Sequence, residues 1–182
     1  MLFKTTLAAA AALALTACAS NMSAPAMMFS QASLPDAVKV PAGNKVALET
    51  VGVGQITYEC RAKANMAGQF EWVFVGPDAR LLDRSGKQVG KYYGPPATWQ
   101  ALDGSKLTAT QLAVAPSGTG NLPYQLVKAN PAMGNGALSG VTYIQRVALK
   151  GGVAPAAACS AADKGKRETV GYQADYIFWK AL

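Results

Sequence analysis

Asp83–Ser105 reads DRSGKQVGKYYGPPATWQALDGS, and its punctuation decides the architecture. Asp83-Arg84-Ser85-Gly86 and Asp103-Gly104 are turn sequences, because Asp bonds the backbone two residues on and Gly accepts positive φ. Gly94-Pro95-Pro96 sets a corner between them. Two reversals and a corner within 23 residues leave room only for short extended segments.

Outward from this stretch the pattern is the same. Toward the N-terminus, Leu81-Leu82 is a short strand and Phe70, Trp72 and Phe74 alternate in another; Ile56, Tyr58 and Cys60 share one face, and Val46–Val53 alternates loosely. Toward the C-terminus, Thr98–Leu102, Lys106–Val114, Tyr124–Ala129, Val141–Leu149 and Gln173–Trp179 read as strands. No capped apolar 3.6-residue period runs for twelve residues, and only Ala154–Ala162 has room for a turn or two of helix. These runs predict an all-β, single-domain antiparallel β-sandwich, or a flattened barrel, of about nine strands with one disulfide. Pro95-Pro96, Pro123 and the lysines are expected to protect its edges.

The N-terminus reads as an address. Lys4 is followed by an Ala/Leu run, Leu7–Leu15, about half the length that spans a bilayer, then by Leu15-Thr16-Ala17-Cys18. Residues 1–17 are expected to be a signal peptide and Cys18 a lipidated cysteine of lipobox type; the alternative is an ordinary signal peptide with a spare cysteine. Ala19, where inner-membrane retention signals have Asp, points to an exported protein at the periplasmic face of the outer membrane or at the cell surface. Residues 18–34 are read as the lipidated cysteine and a flexible tether, although Met22, Met27, Met28 and Phe29 would also suit a groove on the domain. Residues 35–182 form the expected domain. Removing residues 1–17 leaves 165 residues (182 − 17) with a formal charge of about +6 (16 basic, 10 acidic).

With Cys18 lipidated, Cys60 and Cys159 remain. Export favours a disulfide between them over two buried thiols.

There is no histidine, which removes histidine-based triads and the usual zinc, copper and haem ligation. Phosphate-binding loops, dinucleotide fingerprints, nucleophile elbows and Ca²⁺ loops are absent as motifs. No cofactor, no metal and no nucleic-acid partner are expected. Lys164-Gly165-Lys166-Arg167, flanked by Asp163 and Glu168, reads as a solvated basic loop. Of ten carboxylates, Asp83 and Asp103 are the pair to nominate for a glycan hydrolase, though turns use Asp for the backbone. Tyr92, Tyr93, Trp99 and Asp103 are the candidate ligand-binding residues, as aromatic rings held around a proline-fixed corner; the competing reading is that the rings are core. Gln145 and Arg146 are adjacent polar residues in an apolar strand, so they face opposite ways. A buried Arg146 needs a carboxylate, and Asp175 on the closing strand is the expected partner.

Several blocks together carry a resemblance: Tyr58-Glu59-Cys60; Trp72 through Gly76-Pro77, Leu81 and Asp83; Gly86 through Val89-Gly90; Gly94-Pro95 with Trp99; Asp103-Gly104-Ser105; Val141-Thr142-Tyr143-Ile144-Gln145-Arg146; Gly151-Gly152; Cys159; and Tyr172 through Ala174-Asp175-Tyr176. Over residues 35–180 the chain resembles a bacterial and fungal domain-of-unknown-function family, number 3455. The family pattern carries a histidine before its Gly-Pro-Thr-Trp unit, where this chain has Lys91-Tyr92-Tyr93 and then Gly94-Pro95-Pro96-Ala97-Thr98-Trp99. The resemblance implies a secreted all-β domain with its two cysteines paired, and no established activity. The resulting expectation is a cell-envelope lipoprotein that binds or scaffolds rather than catalyses. Its partners would be the membrane, through the anchor, and an envelope polysaccharide or protein. The alternatives are the Asp83/Asp103 hydrolase and a purely structural envelope protein.

Overall fold

The structure, a computed structural model, describes residues 29–182. Residues 1–17, Cys18 and the tether as far as residue 28, with Met22, Met27 and Met28, lie outside the described residues. Eight strands follow in order: β1 (Asn44–Ala62), β2 (Phe70–Leu82), β3 (Gln88–Tyr93), β4 (Thr98–Ala101), β5 (Lys106–Ala115), β6 (Tyr124–Ala129), β7 (Val141–Gly151) and β8 (Arg167–Ala181). Each pairs antiparallel with the next, and β1 pairs with β8 from Asn44↔Ala181 to Glu59↔Arg167, so the sheet closes into an up-and-down barrel. The all-β antiparallel reading and the single disulfide hold, and ring closure makes the architecture the barrel. Two 3₁₀ turns, Asp36–Val38 and Ala161–Asp163, are the helical content among the described residues.

The strand count differs from nine for three local reasons. Val46–Val53 and Ile56–Cys60 are one strand, because Gly54-Gln55 does not break β1. Phe70–Val75 and Leu81-Leu82 are likewise joined through Gly76-Pro77 in β2. Gln88–Tyr93, not among the strands read from the sequence, is β3. No edge needs protecting, because closure removes edges altogether.

Alternation turns one face of every strand inward. Ile56, Tyr58, Leu81, Tyr92, Trp99, Leu107, Ile144, Tyr176 and Phe178 form the interior core. Each large apolar side chain removed from water there contributes about 1.5–3 kcal/mol. β1 can curve around this core because Gly52 carries no Cβ; one placed there would lie 2.8 Å from the Tyr176 ring.

A second core lies outside the barrel wall. Val38 and Val40 cover Ala115, Leu126, Val147, Ile177 and Trp179, with Phe29 and Leu34 against them. Phe29 meets Trp179 edge-on at 6.4 Å. Phe29 and Leu34, expected in the tether, thus pack on the domain, as the groove-covering alternative held for Phe29. Gln145, fully buried here, accepts from Trp179 Nε1 at 2.9 Å and donates to Val38 O at 2.7 Å and Gln31 Oε1 at 3.0 Å. Cys60 on β1 is bridged to Cys159 in the β7–β8 connection, with Cα atoms 6.0 Å apart.

Candidate functional site

The two ends of the barrel differ. At one end the β2–β3, β4–β5 and β6–β7 turns close over the core, with Leu138 buried beneath them. At the other, near the β3–β4 corner and the β5–β6 connection, a cavity of about 400 Å³ enters the barrel. A barrel of eight strands is the size at which the interior either fills with side chains or holds one small molecule.

The inward register builds this cavity. Tyr92 on β3 is opposite Trp99 on β4, and Gln125 on β6 is opposite Arg146 on β7. Tyr92 and Trp99 stack at 4.7 Å, and Tyr176 adds a third ring, 4.9 Å from Tyr92 and 5.6 Å from Trp99. Ala109, Leu122 and Val127 add apolar wall. Gln125 Nε2 donates to Gln111 Oε1 at 2.5 Å, which joins these two wall amides. Phe74 and Val114 line the cavity while remaining 49% and 46% exposed, which puts them at its mouth.

Arg146 is the charged residue of the lining. Its Nη2 donates to Pro123 O at 3.0 Å, while its Nε is buried with no hydrogen-bond partner. Trp99 Nε1, in the same lining, is also buried and without a partner. The expected Arg146–Asp175 pair does not form. Arg146 is opposite Tyr176 in the β7–β8 register, so Asp175 faces outward. There Asp175 accepts from Arg84 Nη1 at 2.6 Å, and Arg84 also holds Glu49 at 2.7 Å.

Four tyrosines share the interior with this cation. Burial pushes the hydroxyls of Tyr58, Tyr92, Tyr172 and Tyr176 above the ordinary tyrosine range, and the positive charge of Arg146 pulls each part of the way back. Tyr172 and Tyr176 are hydroxyl to hydroxyl, and Tyr58 donates to Gly152 O at 2.8 Å.

The candidate binding residues do not form one surface. Tyr92 and Trp99 are 5% and 2% exposed; they belong to the interior core and form part of the cavity lining. Tyr93, one residue on, faces the other way by strand alternation. Its hydroxyl bonds Gln100 Oε1 at 3.1 Å, and Lys91 Nζ lies 4.9 Å from its ring centroid. Asp103 sits at the closed end. It accepts from Ser105 N at 2.9 Å, Ser105 Oγ at 2.6 Å and Ala137 N at 2.7 Å, which hold its carboxyl below the usual range, the serine hydroxyl first.

Asp83 likewise accepts from Ser85 Oγ at 2.6 Å, Ser85 N at 2.8 Å and Lys87 N at 3.0 Å. Both carboxylates of the nominated hydrolase pair therefore serve turns, and neither lines the cavity. A larger, shallower cleft of about 560 Å³ lies at the closed end, along Gly43, Lys128, Asn130 and Thr142. Thr142 Oγ1 donates to Asn44 Oδ1 there at 2.7 Å, and the cleft holds no buried unpartnered donor.

Sequence reasoning placed Tyr92 and Trp99 together but missed Phe74, Gln111 and Gln125 as their neighbours. Gln111 carried no signal: β5 has a register shift between Gln111 and Ala113, and alternation cannot be followed through it.

The fold and cavity define a closed, eight-stranded up-and-down antiparallel barrel with an entered interior. The chain belongs to the family described as Protein of unknown function (DUF3455), which matches residues 41–180, from just before β1 to within one residue of the end of β8. No curated protein and no solved structure matches the chain.

Proposed function

We propose that this domain is a non-catalytic binding module of the cell envelope, exported and anchored through lipid on Cys18, that takes a small molecule into the open end of its barrel. The observation that carries the reading is the 400 Å³ cavity, an aromatic and aliphatic recess that reaches the buried Trp99 indole and the half-buried Arg146 guanidinium. An apolar recess with a few converging polar groups is what small-molecule sites consist of. The Asp83/Asp103 hydrolase gains no support from either residue's bonding. Lys166 pairs with Glu168 at 2.8 Å and Arg167 with Glu59 at 2.9 Å, which favours an ordinary solvated loop over a polymer-binding patch.

The test is a thermal-shift panel of small amphipathic molecules on the purified exported protein and on its Ala109→Trp variant, whose indole would fill the cavity. A ligand at about one hundred times its Kd stabilises the folded state by about 2.7 kcal/mol, a shift of several degrees at this size. The expected result is a hit that shifts the native protein and leaves Ala109→Trp unmoved. Equal shifts of both proteins, or a panel without hits, reject the cavity as a binding site.

A further inference from the structure

The ligand's polar end can be read from what the cavity wall lacks. Arg146 Nε–H and Trp99 Nε1–H are both buried and unpartnered, and both groups can only donate. No acid answers them. Residues 1–28 contain no Asp or Glu, so all ten carboxylate side chains lie among the described residues. Among those residues none forms an ion pair with Arg146, and none lines the cavity. The two wall amides, Gln111 and Gln125, bond each other rather than the guanidinium.

The cavity therefore offers one positive charge, at least two donors and an otherwise mostly apolar lining. A half-buried guanidinium without a counter-ion has given up part of its hydration, and an acceptor with two oxygens in one plane matches its fork. A phosphate dianion would bring a second charge with no partner. We propose that the cavity takes a small organic monocarboxylate, its carboxylate on the Arg146 guanidinium and the Trp99 indole N–H and its apolar body against Phe74, Leu122 and Val127. The assignment rests on the cavity being the binding site, and names the class of molecule it selects.

The same argument separates this role from a purely structural one. A structural cation destabilises the fold when removed. A cation kept for a ligand does not, because it has no counter-ion when the ligand is away. Arg146→Met should therefore unfold at a denaturant midpoint equal to or above that of the native protein.

The experiment uses the purified exported protein, anilinonaphthalene sulfonate as a fluorescent reporter, and naphthoate and its neutral methyl ester as competitors. The native protein is expected to bind naphthoate at least tenfold more tightly than the ester. Arg146→Met should lose that preference while still binding the ester. Arg146→Lys, which keeps the charge and loses the planar fork, should retain only part of it. Trp99→Phe should weaken naphthoate more than the ester.

If Arg146→Met keeps the preference, or if it is destabilised and Arg146→Lys discriminates as well as the native protein, the carboxylate assignment is overturned. If Ala109→Trp also leaves both competitors bound, the cavity reading itself fails. If Ala109→Trp excludes both while the native protein shows no preference for the anion, the cavity stands and the carboxylate does not.

Discussion

Trp99 lies nearly parallel to Tyr92, with centroids 4.7 Å apart and planes 24° apart, and each ring also meets Tyr176. This stack is at once the upper layer of the core and part of the cavity lining. Replacing Trp99 by Ala removes both functions, and should cost about 3–5 kcal/mol of stability. Trp99→Phe should cost less, since it keeps a ring on Tyr92 and also deletes a buried unpaired N–H. Urea unfolding curves check this ordering; the midpoint should fall more for Ala than for Phe, with the slope unchanged.

Reduction of the Cys60–Cys159 bridge should lower stability by about 4–5 kcal/mol, the chain-entropy value for a loop of this size. Comparing denaturant midpoints with and without reductant measures it. A change of less than about 1 kcal/mol would mean that β1 and the β7–β8 connection are held together without the bond.

Gln145 should matter more than its place on the outer wall suggests. Gln145→Leu leaves Trp179 Nε1 and Val38 O without their partner in a buried core, about 1–3 kcal/mol for each group left unpaired. It also removes the bond to Gln31, so residues 29–40 should become the first site of limited proteolysis. Native-like protease resistance there would show that Phe29, Val38 and Val40 suffice without it.

Alkaline pH supplies a test of the interior. Tyr92, Tyr172 and Tyr176 have folded-state pKa values raised by burial, so the unfolded chain loses these protons first as pH rises. Their contribution is complete below about pH 10, the unfolded tyrosine value, and stability should decline as pH climbs from there toward the raised values. Near-ultraviolet titration should show these tyrosines ionising together with unfolding. Reversible ionisation of all seven tyrosines in a folded protein would contradict the burial.

Much of the barrel was legible because inward faces follow period two: Ile56, Tyr58 and Cys60, or Ala174, Tyr176 and Phe178, announce themselves. Where one strand stops was less so. Gly54 and Gly76-Pro77 look like breaks but sit inside long strands, because a barrel strand must bend and glycine admits the close approach of its neighbours. Ring closure was legible only as the flattened-barrel alternative to a sandwich, since the choice depends on pairing between β1 and β8 that no local pattern encodes. The site was half legible. Tyr92 and Trp99 drew attention as aromatics, but their inward direction depended on recognising β3. Arg146 was recognised as odd in its strand, and the missing piece was that Asp175, by register, points away from it.

Closure through β1 and β8 also sets the order in which the molecule can be completed. β1 begins at Asn44, and its β8 partner there is Ala181, next to the last residue of the sequence. The first strand of the barrel to be made must wait, with one side unpaired, for the last. Pairings this far apart in sequence place the domain among slow folders, in the millisecond-to-second range. The waiting edge of β1 is the surface that a chaperone, or a second unfinished copy, would meet first.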